Sequence, residues 1–307
     1  MPQSTHEFHH FSIFADRTGT LVRLVVLIVA LGPLATLADD AIGNGAADLP
    51  IFDAHIHYKQ EAWGPYPPAT VIELMDQNGV VMGLLSSTPD EGTIKLWEHA
   101  PSRIVPELRP YHGDAGSSNW MAAYGMEGYL GARLDRYPHE GIGEFHVHTM
   151  GGANLELLAK IAEMAVARGI PIHIHSNDEP VRFFFAAQPD LTVIWAHAGM
   201  SSPPEVIGPL MDEQPRLFAD TSYRESDILD GDELNPEWRD LLIRHADRFM
   251  IGSDTWVNGQ WADYDGIIEM NRAWLSHLPR DVAEKIAFRN AEELFGRAVS
   301  RDLLGTR

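Results

Sequence analysis

The residue types that can do chemistry in this chain gather at the ends of short apolar runs. Ile51-Phe52-Asp53-Ala54-His55-Ile56-His57 closes on two histidines two residues apart. On an extended backbone side chains at that spacing point the same way, so His55 and His57 form a pincer on one face. Gly143-Glu144-Phe145-His146-Val147-His148 sets a carboxylate and two imidazoles in the same alternation. Ile172-His173-Ile174-His175 repeats it. Trp195-Ala196-His197-Ala198-Gly199 ends another run on an imidazole, and Ile251-Gly252-Ser253-Asp254 ends one on a carboxylate. Three imidazoles and one or two carboxylates around an open position are the donor set of a catalytic, zinc-like divalent ion. Any of these histidines alone would be read as a satisfied core or loop residue, and His99, His112, His139, His245 and His277 are read that way. The others share a destination that independent chance does not supply.

The runs lie at 50–57, 80–87, 104–109, 141–148, 170–175, 191–197, 217–222 and 248–253, separated by amphipathic stretches. Leu158, Ile161, Ala162 and Ala165 fall on one helical face, as do Val282, Ile286 and Leu294 with Phe295. Strands separated by helices pair in parallel through right-handed crossovers, and eight of them predict a closed (β/α)8 TIM barrel. Its chemistry would sit in the loops that follow the strands, where the histidines and carboxylates are. An open doubly wound sheet is the alternative, but neither G-x-G-x-x-G nor G-x-x-x-x-G-K-[ST] is present. His175, nearer the end of its strand, is preferred to His173, which is read as an inner-barrel or supporting group. His146 and His148 are read as substrate-facing or supporting.

Composition narrows the class. With 45% apolar and 22% charged residues the chain is neither disordered nor a rod. A net charge of −21 repels phosphate backbones, so no nucleic-acid partner is expected. No cysteine is present, which excludes disulfides, thiolate nucleophiles and thiolate metal sites. Residues 24–38 form a short apolar run behind Arg23, broken by Gly32-Pro33 and ending on small residues, which matches a secretory signal peptide. The run is shorter than the ~20 residues of a membrane span. The organisation read from these features is a signal peptide or N-terminal anchor at 1–38, a flexible linker at 39–49 and the barrel at 50–307. A start of translation at Val22 would leave Arg23 as the basic lead. The mature protein is expected in the periplasm or secreted, with a small-molecule substrate and no membrane contact beyond that segment; a homo-oligomer is compatible with it.

Together with Arg289-Asn290-Ala291-Glu292-Glu293-Leu294-Phe295 near the C-terminus, these motifs resemble the amidohydrolase superfamily over roughly residues 50 to 300. The branch they resemble most is the amidohydrolase-related group of pyrone dicarboxylate hydrolases and aminocarboxymuconate-semialdehyde decarboxylases. The resemblance implies His55, His57, His175 and Asp254 as ligands, with His197 either a ligand of a second ion or a proton-transfer group. Many relatives bridge two ions with a carboxylated lysine on the fourth strand. Here Glu144 stands on that strand, as in the phosphoesterase and deoxyribonuclease branches that bridge with glutamate, and it is read as a ligand or bridge. One or two ions, zinc by donor type, are therefore expected.

The expected reaction is hydrolysis of a lactone, ester or amide bond in a small molecule. Asp254 would accept the proton of the attacking water and pass it to the leaving group, and His197 would help polarise the carbonyl. Non-oxidative decarboxylation of a small carboxylic acid is the nearest alternative; a phosphoesterase or a non-catalytic periplasmic binding protein follows. Arg109 and Arg224 could clamp a substrate carboxylate or, equally, neutralise an acidic loop such as 225–233. Tyr58, Trp63, Tyr66, Trp256, Trp261 and Tyr264 would line the pocket with aromatic faces if they face the mouth.

Overall fold

The computed structural model describes Ala46 and residues 48–299. The expected signal peptide or anchor lies outside the described residues, as does most of the expected linker. Among the described residues no helix is long and apolar enough to cross a membrane.

Eight parallel strands follow one another round a single sheet in chain order: β1 (Ile51–His57), β2 (Val80–Ser86), β3 (Ile104–Leu108), β4 (Gly141–His146), β5 (Ile172–His175), β6 (Val193–Trp195), β7 (Leu217–Asp220) and β8 (Phe249–Met250). The last segment returns to the first: Ala54 N donates to Ile251 O at 2.9 Å and Asp254 N to His55 O at 2.7 Å. With helices between the strands, this is a nearly closed (β/α)8 barrel of the TIM type. A parallel sheet wrapped in helices is covered on both faces, which is why β1 and β2 are buried at every position, polar residues included. In the register, His57 lies opposite Ser86, His146 opposite His175, and Met250 opposite Asp220. That pairing brings the polar ends of different strands to one level.

The helices carry the patterns read from the sequence. Leu155–Arg168 starts where Asn154 accepts from Leu157 N at 3.1 Å and ends at Gly169, whose φ of 66° suits glycine. It buries Leu157, Leu158, Ile161, Ala162 and Ala165. Near the C-terminus a π-helical turn, Lys285–Arg289, carries Ile286 and stands between Val282 and the pair Leu294 and Phe295. The first two are buried, while Phe295 stacks on Phe52 at 5.8 Å between ring centroids.

Two expectations change. The last part of the expected linker is docked on the barrel: Ala46 and Leu49 are buried, and both their carbonyls accept from Arg272 Nη1 at 2.8 Å. The strands are also shorter at their ends than the apolar runs. β6 stops at Trp195 and β8 at Met250, so His197 and Asp254 stand on turns and not on strands.

Candidate active site

On β1 the alternation works as the sequence implies. His55 and His57 face the same way, with their Nε2 atoms 3.1 Å apart. Each ring is held from behind, His55 Nδ1 by Asp220 Oδ2 at 3.2 Å and His57 Nδ1 by Ser86 Oγ at 2.9 Å. Glu144 on β4 spans the centre. Its Oε2 lies 3.2 Å from His57 Nε2, and its Oε1 lies 2.7 Å from His175 Nδ1 and 3.5 Å from His197 Nε2. Gly143 makes that reach geometrically possible. At φ 152° it sits so close to β5 that a Cβ would lie 2.3 Å from His173 O.

The other donors come from turns. His197, at φ 56°, stands in the tight turn Ala196–Ala198, and its Nδ1 meets Ser222 Oγ at 2.8 Å. Asp254, at φ 46°, directs Oδ1 to 3.2 Å from His57 Nε2 and 3.6 Å from His55 Nε2, and Oδ2 to 3.8 Å from His197 Nε2. Asp254 Oδ1 is buried and has no hydrogen-bond partner.

These residues fit a divalent ion. His55 Nδ1 is held by the Asp220 carboxylate, and its Nε2, turned towards His57 Nε2 and two carboxylates, would exchange its proton for a cation. Acceptors crowded together around an orphaned buried oxygen are satisfied by a cation. Among the described residues four overlapping groups have donor atoms close enough to share an ion: His55, His57 and Glu144; His55, His197 and Asp254; His55, His173 and Asp220; and Glu144, His146 and His175. Burial opposes ionisation of Asp254, yet the charge on His55 outweighs it and holds the carboxyl below the usual range. Glu144 is likewise held well below, against burial, by the imidazoles of His175, His197, His55 and His57.

A polar layer lies beneath. His173 spans two buried acids, Nδ1 to Glu107 Oε2 at 3.4 Å and Nε2 to Asp220 Oδ2 at 3.1 Å. Burial works against its charge, but Glu107 above all pulls its pKa up to about 9. Asp220 also accepts from His197 N at 3.3 Å and from Ser222 Oγ, so one carboxylate steadies both His55 and His197. Asp220, Ser222, Ser86 and Glu107 were not singled out from the sequence. The available signal was position: Ser86 and Asp220 end β2 and β7 as the histidines end other strands.

A cavity of about 630 Å³ opens onto this cluster and is lined by His57, Glu144, His175, His197 and Asp254, with Arg109, His146 and Trp256. His146 stacks on His175 at 4.1 Å, its Nδ1 is 2.8 Å from Tyr111 Oη, and burial pushes its pKa down to about 3. His148 is exposed. Arg109 Nε and Nη2 donate to Glu144 O and Oε2 at 2.9 and 3.0 Å, so its guanidinium holds Glu144.

Arg224 is not a substrate clamp. Its nitrogens donate to the carbonyls of His197, Ala198 and Ser202 at 3.0, 3.1 and 2.8 Å and to Asp227 Oδ2 at 2.6 Å, and it does not line the cavity. The expected aromatic lining is corrected too. Among the six loop aromatics, Trp256 lines the cavity. Tyr58, Trp63, Tyr66, Trp261 and Tyr264 pack on one another, with Tyr264 Oη donating to Asp53 Oδ2 at 2.8 Å. Tyr111 and Tyr223 supply aromatic faces instead.

A family model described as amidohydrolase matches residues 120–297. No curated protein matches the chain. Among solved structures, the fold is similar to a probable 2-pyrone-4,6-dicarboxylic acid hydrolase from Acinetobacter baumannii, at 13% identity and a TM-score of 0.51, over 81% of this chain and 100% of that one. It is also similar to N-acetyl-D-glucosamine-6-phosphate deacetylase from Mycobacterium smegmatis, at 15% identity and a TM-score of 0.53, over 81% and 76%. At such identities the likeness is one of fold.

Proposed function

This chain belongs to the amidohydrolase family, and on that premise we propose that it is a metal-dependent hydrolase of a lactone, ester or amide bond in a small molecule. The observation that carries the reading is Asp254 Oδ1, a buried carboxylate oxygen with no hydrogen bond, aimed at two imidazole nitrogens on the floor of an open cavity. His55, His57, Asp254 and Glu144 would hold one divalent ion, and the second oxygen of Glu144 with His175 and His197 offers donors for another. When bound, an ion of the zinc type supplies Lewis acidity and water ionisable near pH ~7.

The chain's own residues do the rest. Asp254, held ionised by its surroundings, accepts the proton of the attacking water and returns it to the leaving group. His197, its Nδ1 held by the carbonyl and hydroxyl of Ser222, would present Nε2 to the substrate carbonyl when that nitrogen carries a proton and to an ion when it does not. Arg109 keeps Glu144 in place. The test is metal analysis of the purified full chain followed by a panel of lactones, esters and amides. Asp254→Asn is expected to retain bound ion and to lose at least about 100-fold in kcat. Wild-type turnover in that variant would remove Asp254 from the mechanism, and release of carbon dioxide in place of a ring-opened acid would transfer the site to decarboxylation. Export is part of the proposal, carried by the signal-like run at 24–38; N-terminal sequencing of the recovered protein tests it, and an intact residue 1 counts against cleavage.

A further inference from the structure

We propose that Lys59 is the anion-reading group of this cavity, so that the substrate carries a carboxylate next to a flat apolar face. The proposal rests on the hydrolase reading for the identity of the site and adds the class of molecule that enters it. Cations near the strand ends are not equivalent. Arg109 is engaged twice by Glu144, and Arg224 by three carbonyls and Asp227. Lys59, two residues past His57, lines the cavity and forms no ion pair among the described residues. The lining carboxylates, Glu144 and Asp254, both face the imidazoles.

In a chain with 44 acidic and 23 basic residues, an acid partner for a lysine is easily come by. An ammonium left without one inside the cavity is available to an incoming anion. Its Nζ lies 5.6 Å from the centroid of the Trp256 ring, itself 48% exposed and tied by Nε1 to Tyr223 Oη at 3.0 Å. Met200 and Tyr223 line the same cavity, 41% and 45% exposed. A single ammonium on a flexible stem beside indole and phenol faces suits a monoanion on a planar or apolar body. A single carboxylate matches that one ammonium.

The test uses the ion-loaded full chain and matched probes. Calorimetric titration compares benzoate with benzyl alcohol, which has the same ring and no charge. In the wild type benzoate is expected to bind more tightly, and in Lys59→Met the preference is expected to fall about tenfold, the equivalent of ~1.4 kcal/mol. Lys59→Arg should restore most of it. Lys95→Met is the control: that ammonium lies 5.5 Å from the Trp63 ring, outside the cavity lining, and its loss should leave the preference unchanged. In parallel, the ratio of kcat/KM for 4-carboxyphenyl acetate to that for phenyl acetate is expected to fall about tenfold in Lys59→Met. A wild type that does not prefer benzoate, or an undiminished preference in Lys59→Met, overturns the proposal. If no lactone, ester or amide of the panel is turned over while the benzoate preference still depends on Lys59, the proposal stands and the hydrolase reading fails.

Discussion

The two halves of the cluster are built by different means. His55, His57, Glu144 and His175 stand on β1, β4 and β5, where the alternation of an extended chain aims each side chain and the sheet fixes its height. His197 and Asp254 stand on turns past β6 and β8, in left-handed backbone. All five left-handed non-glycine residues among the described ones, His197, Ala198, Met200, Tyr223 and Asp254, fall in the segments after β6, β7 and β8. Each such residue costs about 1–2 kcal/mol relative to right-handed backbone. Strand geometry thus places one half at little local cost, while the other half is held against local preference by its surroundings. A strand can carry side chains only along its own line. A turn can aim one across the mouth, as Asp254 is aimed at His57.

The sharpest way to break this contrast is Arg224→Met. The Arg224 guanidinium holds the carbonyls of His197, Ala198 and Ser202, which is to say the left-handed turn itself. Removing it takes the guanidinium donors from Ala198 O and Ser202 O, while His197 O keeps Met200 N, and a loss of about 3 kcal/mol is expected in urea unfolding. Amide exchange should accelerate at 196–202 and stay unchanged at β1. A uniform acceleration over both segments would show that the turn half has no separate dependence on its clamp.

The same contrast explains what could be read from the sequence. β1, β4 and β5 were legible because Ile-His-Ile-His and His-Ile-His carry the period of two on their surface. The barrel was legible because eight apolar runs alternate with helical faces such as Leu158 and Ile161. His197 and Asp254 were found as residues, but their placement on turns was not, since nothing in Trp-Ala-His-Ala-Gly announces that extended pairing stops at Trp195. Arg224 could not be assigned because a charged residue near a strand end looks the same whether it meets a substrate, an acidic loop or backbone carbonyls; the structure pairs it with Asp227 of that loop and with three carbonyls. The loop aromatics were open for the same reason: Trp261 and Tyr264 are buried against each other, a relation set by packing within the loop that the sequence does not announce. Asp220 escaped notice because its partners, His55 and His173, are 165 and 47 residues away.

Asp220 is where the halves meet, so its substitution shows whether they act as one. Asp220→Asn keeps the shape and removes the charge that steadies His55 directly and His197 through its backbone N–H and Ser222. Partners of this kind are typically worth about 10–100-fold in metal affinity. That loss is expected in competition with a chelator. Ser222→Ala leaves the Asp220 carboxylate on His55 and should lose less. Equal affinities in Asp220→Asn and wild type would mean that strand half and turn half hold an ion independently.

The smallest expected effect isolates the backbone. Ala54 on β1 and Ala198 after β6 are both fully buried, and truncating each to glycine removes one methyl group, worth about 0.8 kcal/mol of burial. In β1 the glycine adds a further 0.5–1 kcal/mol, roughly, because it has more freedom to lose on folding. At 198, with φ 46°, that same freedom relieves a conformation alanine adopts at a cost of about 1–2 kcal/mol. Ala54→Gly should therefore unfold at clearly lower urea, and Ala198→Gly should lie within about 0.5 kcal/mol of wild type or above it. Equal losses at the two positions would mean that the turn carrying His197 is not under strain, and the division between the halves would then lie in their hydrogen bonds alone.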